Sequence, residues 1–217
     1  MNQFIERGKD QIVIALPSKG RLKEKVLTFL QDKGCTVKPP LGRRLQSVLE
    51  NDPSCLIVFM HPRDIALMLN EGVIDVGFTG LDLIVETDVH IRPVVRLNCG
   101  KVKLALLVPQ NSICYHPFHL LNKTIATPYP NLAKAYFQRL KIDVTIRPIQ
   151  GASEGMPYLG IVDAIVDVIE SGNSASENAL KIIADDLFES ECVACVNKPE
   201  LQSNYPLINQ FLRKIYT

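Results

Sequence analysis

The chain has 217 residues, of which 47% are hydrophobic and 22% charged, with a formal net charge of +1. That length can bury a sizeable core as one large domain or two small lobes, and so even a charge balance excludes the strong field of a nucleic-acid or acidic-membrane binder. Met1–Asp10 carries Glu6, Arg7, Lys9 and Asp10 with no apolar centre, which excludes a secretory signal, and no apolar run is long enough to cross a bilayer, so a cytoplasmic protein is expected.

The run from Gln11 to Leu16, ended by Pro17, predicts a strand buried on both faces. Ser18 to Arg21 turns the chain into a helix whose apolar face is Leu22, Val26, Phe29 and Leu30, with Gly34 at its end. Leu56–Met60 predicts a second buried strand, Pro62 to Glu71 a helix with Ile65, Met68 and Leu69 inside, and Val73–Phe78 a third strand that delivers Thr79 and Gly80. Repeated strand–helix alternation is the pattern of an α/β fold with a mostly parallel sheet.

A second block begins near Val102. Strands are expected at Lys103–Val108, Thr124–Ala126, Val144–Pro148 and Ala164–Ile169, a helix at Asn131–Leu140 and a short helix at Tyr158–Val162. Ser174 to Glu177 has the spacing of a capping box, predicting a helix with Leu180, Ile183, Ala184 and Leu187 on its apolar face. A strand at Cys192–Val196 and a helix around Pro206–Ile215 follow.

The six cysteines are scattered through apolar stretches, which suits reduced thiols better than a disulfide framework. Cys192 and Cys195 have the spacing of a redox pair, but in a strand positions three apart point to opposite faces. Cys114, His116 and His119 offer three metal ligands with no fourth nearby, so no metal site is assigned.

The segment that carries chemistry runs from Asp163 to Ser174. A buried strand enters a short loop of small, hydroxyl-bearing residues. Such a loop can offer unpaired backbone N–H groups to a phosphate, with Gly172 allowing close approach and Ser171, Asn173 and Ser174 adding side-chain donors. Asp167 and Glu170, upstream, are acceptor-only carboxylates suited to a ribose 2′,3′-diol. Acids on the sugar with amides on its 5-phosphate suit a phosphoribosyl donor. The same residues also fit a plain strand–helix turn, and Glu177 in that turn would repel a phosphate.

Glu154, Gly160, Ile165, Asp167, Val168, Ser171 and Gly172 match the signature of the ATP phosphoribosyltransferases, which the chain resembles over most of its length. Leu16–Leu22, the basic loop Gly42-Arg43-Arg44-Leu45, Asp64-Ile65, Asp75–Asp82 and Ala126–Leu132 resemble further family segments in the expected order. Three positions depart from the pattern: Val162 replaces a small residue, Ser174 a Thr, and Ala175 a Leu whose burial is worth roughly 2 kcal/mol.

The resemblance implies a type II periplasmic-binding-protein-like fold. Two lobes, each a mostly parallel sheet flanked by helices, would enclose a substrate cleft. Residues 1–102 with 192–217 would form the first lobe, with the basic residues on the ATP side, and 103–191 the second, with the phosphoribosyl-pyrophosphate loop. It further implies attack of the adenine N1 of ATP on C1 of the donor, with inversion and loss of pyrophosphate, as the first step of histidine biosynthesis. Asp167 and Glu170 would hold the ribose, Ser171 to Ser174 the 5-phosphate, and Mg²⁺ would bridge the pyrophosphate oxygens. Arg21 and Arg43 resemble family arginines on the triphosphate and departing pyrophosphate. Lys19, Gly20, Arg63, Thr79, Gly80, Asp82 and Glu154 would complete the ATP side, although Lys19 and Arg44 also fit solvated charges and Thr79-Gly80 a tight turn. Ending at Thr217, the chain resembles the short form, which works as a homodimer with a regulatory subunit resembling histidyl-tRNA synthetase. Two other readings fit the same residues: a non-catalytic two-lobed anion-binding protein, and a regulatory paralogue.

Overall fold

A computed structural model describes residues 8, 10–40, 42, 44–151, 153–170, 178–197 and 204–216. The chain divides into two compact units, Met1–Gly100 with Glu191–Thr217, and Lys101–Ser190. In chain order the first unit contains β1 (Ile12–Pro17), α1 (Gly20–Asp32), β2 (Gln46–Leu49), β3 (Asp52–Met60), α2 (Pro62–Asn70), β4 (Val76–Gly80), α3 (Leu81–Thr87) and β5 (Arg92–Arg96). The second contains β6 (Val102–Pro109), β7 (Thr124–Thr127), α4 (Pro130–Leu140), β8 (Thr145–Pro148), β9 (Ala164–Ile169) and β10 (Leu180–Ser190). The first unit then resumes with β11 (Cys192–Val196) and α5 (Tyr205–Tyr216).

The first sheet has the order β2-β3-β1-β4-β11-β5. Its centre explains why β1 is apolar throughout. Ile12, Ile14 and Leu16 point to one face and pack with Val26 and Leu30 of α1 and Ile208, Phe211 and Ile215 of α5. Val13 and Ala15 point to the other and pack with Ile65, Ala66 and Leu69 of α2. Each fully buried large aliphatic in this arrangement contributes about 1.5–3 kcal/mol. Phe78 of β4 meets Phe211 edge to face, with ring centroids 6.4 Å apart. On the opposite face α2 lies so close to β4 that a Cβ on Gly77 would stand 2.6 Å from Ile65 Cγ2. Cys192 and Cys195 fall on opposite faces of β11, one in each of these cores.

The second sheet has the order β10-β6-β9-β7-β8, so β9 is its central strand. Both sheets are mixed rather than mostly parallel. β3, β1 and β4 run parallel in the first sheet, while β2 and β11 pair antiparallel with their neighbours. In the second, β9, β7 and β8 run parallel, while β6 pairs antiparallel with both β9 and β10.

The helical spacing of Leu180, Ile183, Ala184 and Leu187 predicts a helix, but these residues form β10, paired antiparallel with β6 from Leu180↔Pro109 to Ser190↔Val102. Register shifts between Ile182 and Ala184 and between Ala184 and Phe188 break the strict alternation of a strand, and the resulting spacing imitates a helix. The box Ser174–Glu177 lies outside the described residues. The short helix expected at Tyr158–Val162 is a 3-10 turn at Met156–Leu159, stopped by Gly160 at a φ of 67°. The strand expected from Val73 starts at Val76, with Val73 itself exposed.

Candidate active site

Each unit gathers its chemistry-bearing residues at the carboxyl ends of its parallel strands, where ligands of open α/β sheets bind. In the first unit β1 and β3 end in register at Pro17 and Met60, and the Ser18 amide donates to the Met60 carbonyl at 2.9 Å. The turns that follow β1, β3 and β4 therefore lie along one edge. They carry Lys19, Gly20 and Arg21; Arg63; and Thr79, Gly80 and Asp82.

Lys19 is exposed and precedes α1 without a side-chain cap, and Gly20 adopts a φ of 74°. A Cβ at Gly20 would meet nothing within 4 Å, so glycine is required there by backbone conformation and not by close packing. The first turn of α1 holds no acidic residue, which leaves its positive dipole end unopposed by its own side chains. Arg21 lies in that turn, and its side chain lies outside the described atoms. Arg63 is half-buried in the first turn of α2, and its amide donates to His61 Nδ1 at 3.3 Å. Arg43 lies outside the described residues, and Arg44 is exposed.

Thr79 is fully buried, and its hydroxyl donates to the Pro62 carbonyl at 2.7 Å, tying the end of β4 to the start of α2. Gly80 leads into α3, whose first turn holds the buried carboxylate of Asp82. A Cβ on Gly80 would collide with that carboxylate. Glycine here leaves the Asp82 carboxylate its place in the turn.

In the second unit Asp167 sits near the end of the central strand β9, on the same face as Ile165 and Ile169. Its Oδ2 accepts the Ser153 hydroxyl at 2.7 Å and its Oδ1 accepts the Val168 amide at 2.7 Å. Burial pushes the Asp167 carboxyl above its ordinary range. The two hydrogen bonds pull it back, and the neighbouring charge of Glu154 raises it further. The structure thus brings Asp167 together with Ser153 and Glu154, and Glu154 belongs to the second unit. Glu170 is exposed, one residue past the end of β9. Ser171, Gly172, Asn173 and Ser174 lie outside the described residues.

Beyond that segment, Ala179 adopts a φ of 53°, and its carbonyl accepts the Gln110 amide at 2.8 Å and the Tyr158 hydroxyl. At the carboxyl end of β7 the Tyr129 amide donates to the buried Thr127 hydroxyl at 2.9 Å, and α4 then starts with Pro130 and no acid in its first turn. Sequence reasoning passed over Ser153. A single serine beside Glu154 has no periodicity to mark it, and only the approach of its turn to β9 gives it a partner.

The loop with Cys114, His116 and His119 is held by its own side chains. His119 Nδ1 accepts the Tyr115 amide at 3.2 Å and His116 Nδ1 the Phe118 amide at 3.4 Å. Among the described residues no group of three or more His, Cys, Asp or Glu side chains is placed to hold a metal ion. No helix among them is long and apolar enough to cross a membrane.

Known proteins resemble this chain in both sequence and fold. The solved structure of an ATP phosphoribosyl transferase (HisG:HisZ) complex from Thermotoga maritima superposes with a TM-score of 0.78 at 27% identity, covering 95% of this chain and 97% of that one. A substrate-binding protein of an amino acid ABC transporter superposes with a TM-score of 0.59 at 15% identity, over 94% of this chain and 92% of its own, and shares the fold. The ATP phosphoribosyltransferase of Methanopyrus kandleri is 39% identical over 86% of this chain, which spans 65% of that relative's length. The model of the ATP phosphoribosyltransferase family matches residues 61–217, which include Arg63, the Thr79–Asp82 turn, Glu154 and all of β9. The chain belongs to the ATP phosphoribosyltransferase family.

Proposed function

We propose that this protein transfers the phosphoribosyl group of phosphoribosyl pyrophosphate to N1 of ATP, a glycosyltransferase reaction that opens histidine biosynthesis. The observation that carries the reading is Asp167. It is a half-buried carboxylate near the end of a central strand, inside the family-matched region, with each oxygen held by one protein donor.

In this reading the bond from C1 to the pyrophosphate oxygen breaks as the bond from adenine N1 to C1 forms, with inversion at C1. The nucleophile belongs to ATP, so the protein's work is positioning and charge stabilisation. Asp167, with Glu170, accepts the ribose hydroxyls and steadies the positive charge that grows at C1. The backbone and hydroxyls of Ser171, Gly172, Asn173 and Ser174 take the 5-phosphate. The first unit supplies Lys19, Gly20, Arg21, Arg43 and Arg63 to the triphosphate and the departing pyrophosphate, with Thr79, Gly80 and Asp82 beside the nucleotide. The missing acid in the first turn of α1 supports this, because an anion there meets the positive end of the helix without competition.

Mg²⁺ would be held through the donor's pyrophosphate and would offset its negative charge. That cation favours substrate phosphates and water over an all-protein cage. A cytoplasmic homodimer assembled with a separate regulatory subunit resembling histidyl-tRNA synthetase is the working unit. Support for a partner comes from the Thermotoga maritima relative, whose structure is of a complex with HisZ.

The test mixes purified protein with ATP, phosphoribosyl pyrophosphate and Mg²⁺, with and without the regulatory subunit, and follows phosphoribosyl-ATP by absorbance and mass. Product formation that Asp167→Asn abolishes supports the reading. Donor binding without product under both conditions would move the protein to the non-catalytic, regulatory class.

A further inference from the structure

We infer that Ser153 is the positioning residue that sets Asp167 for the sugar, leaving one acceptor position on each carboxylate oxygen for a vicinal diol. This rests on the reading of Asp167 as the ribose acceptor and names the residue that makes it selective. An ionised carboxylate offers about four acceptor positions on its two oxygens. The Ser153 hydroxyl takes one on Oδ2 and the Val168 amide takes one on Oδ1, each at 2.7 Å. What remains is one position per oxygen, matched to two adjacent hydroxyls.

The serine is built for that task. It is 0% exposed, so its hydroxyl has no solvent to turn to. Its own carbonyl accepts the Met156 amide at 3.0 Å, which fixes it to the 3-10 turn, and Met156 packs into the core with Ile165 and Ala105. The hydroxyl is thus held in place by main chain and packing from the segment after β8, while Asp167 is held by the ladder of β9. Across β6 the carboxylate faces Ala105, which carries no charge, and the charge acting on it comes from Glu154 of the same turn. Without the serine, Oδ2 would have two positions open and the carboxylate would lose one of the two bonds that fix its plane.

The experiment compares the intact protein with Ser153→Ala and Ser153→Thr, each also in an Asp167→Asn background. Donor affinity is measured by calorimetry with phosphoribosyl pyrophosphate and Mg²⁺, and the pH profile of kcat/KM for the donor is recorded. Ser153→Ala is expected to weaken donor affinity about tenfold, the scale of one hydrogen bond to a charged group. It is also expected to move the acid limb of the profile to higher pH, because the lost bond favoured the ionised form. Ser153→Thr restores both. In the Asp167→Asn background Ser153→Ala has no further effect, because the serine acts only through that carboxylate.

An unchanged affinity and acid limb in Ser153→Ala would overturn the inference, as would the same loss in the Asp167→Asn background, which marks a merely structural serine. If Asp167→Asn itself binds donor as tightly as the intact protein, the ribose assignment fails, and this inference fails with it for that separate reason.

Discussion

Gly77→Ala tests whether the packing of α2 on β4 holds the basic edge of the first unit in place. The added methyl would stand 2.6 Å from Ile65 Cγ2, with Leu69 Cδ2 at 3.5 Å and Ile74 Cδ1 at 3.7 Å. The latter two are ordinary contacts, so the whole conflict is with one methyl of one side chain. Gly77 and Ile65 lie deep in the unit and Ile65 is 0% exposed, so relief requires α2 to shift. Overpacking of this kind costs about 1–3 kcal/mol. At about 2–4 °C per kcal/mol for a chain of this size, Tm should fall by roughly 2–12 °C. Because α2 starts with Pro62 and Arg63 and is tied to β4 through Thr79, the shift is expected to raise the KM for ATP. A second substitution identifies the cause. Ile65→Leu removes the Cγ2 branch and should recover most of the lost stability in the Gly77→Ala background, whereas Ile65→Val keeps that branch and should recover none. Equal recovery by both, or a Gly77→Ala protein as stable as its parent in thermal and urea unfolding, would refute the reasoning.

Three further outcomes are expected. Asp167→Asn should weaken donor binding yet stabilise the fold at neutral pH. Burial raises the folded pKa of Asp167 above its unfolded value, so the ionised side chain opposes folding; that penalty is full above the folded pKa and vanishes below the unfolded one, and the difference in Tm between the two proteins should close as pH falls through this window. Cys99 should alkylate at neutral pH ahead of the buried thiols, because a hydrogen bond from the Cys192 thiol lowers its pKa while burial raises those of Cys55 and Cys195 to about 12. Cys192→Ala removes that donor and should slow the Cys99 reaction, as peptide mass spectrometry would show. Tyr158→Phe deletes the bond to the Ala179 carbonyl, worth about 1 kcal/mol, and faster amide exchange confined to residues near 179 with little change in Tm is the expected signature.

Elements whose local pattern and tertiary role agree were legible from sequence. β1, β3 and β4 are short apolar runs ended by Pro17, His61-Pro62 and Gly80, and they are the parallel strands buried on both faces. α1, α2, α4 and α5 show helical periodicity, and Pro62 and Pro130 mark two of their starts. Of the four strands at the sheet edges, only β8 was legible. β5 is Arg-Pro-Val-Val-Arg, a composition that suits an edge by discouraging further pairing, and such a strand has little apolar signal to read. β2 has only four residues and is defined by its partner β3. β10 carries two register shifts, which convert an alternating strand into an apparent helix.

The same rule of alternation bears on the two carboxylates. Cys192 and Cys195, three apart in β11, enter opposite cores, and Asp167 and Glu170 have that same spacing at the end of β9. Asp167 keeps its strand position, with Ile165 and Ile169 on its face and both oxygens bonded. β9 stops at Ile169, so Glu170 is the first residue outside the ladder and can turn toward the face of Asp167 only through the backbone of the segment that follows. The division of labour follows from that geometry. Asp167 is fixed by the β9 ladder and by two hydrogen bonds, whereas Glu170 stands one residue outside that ladder.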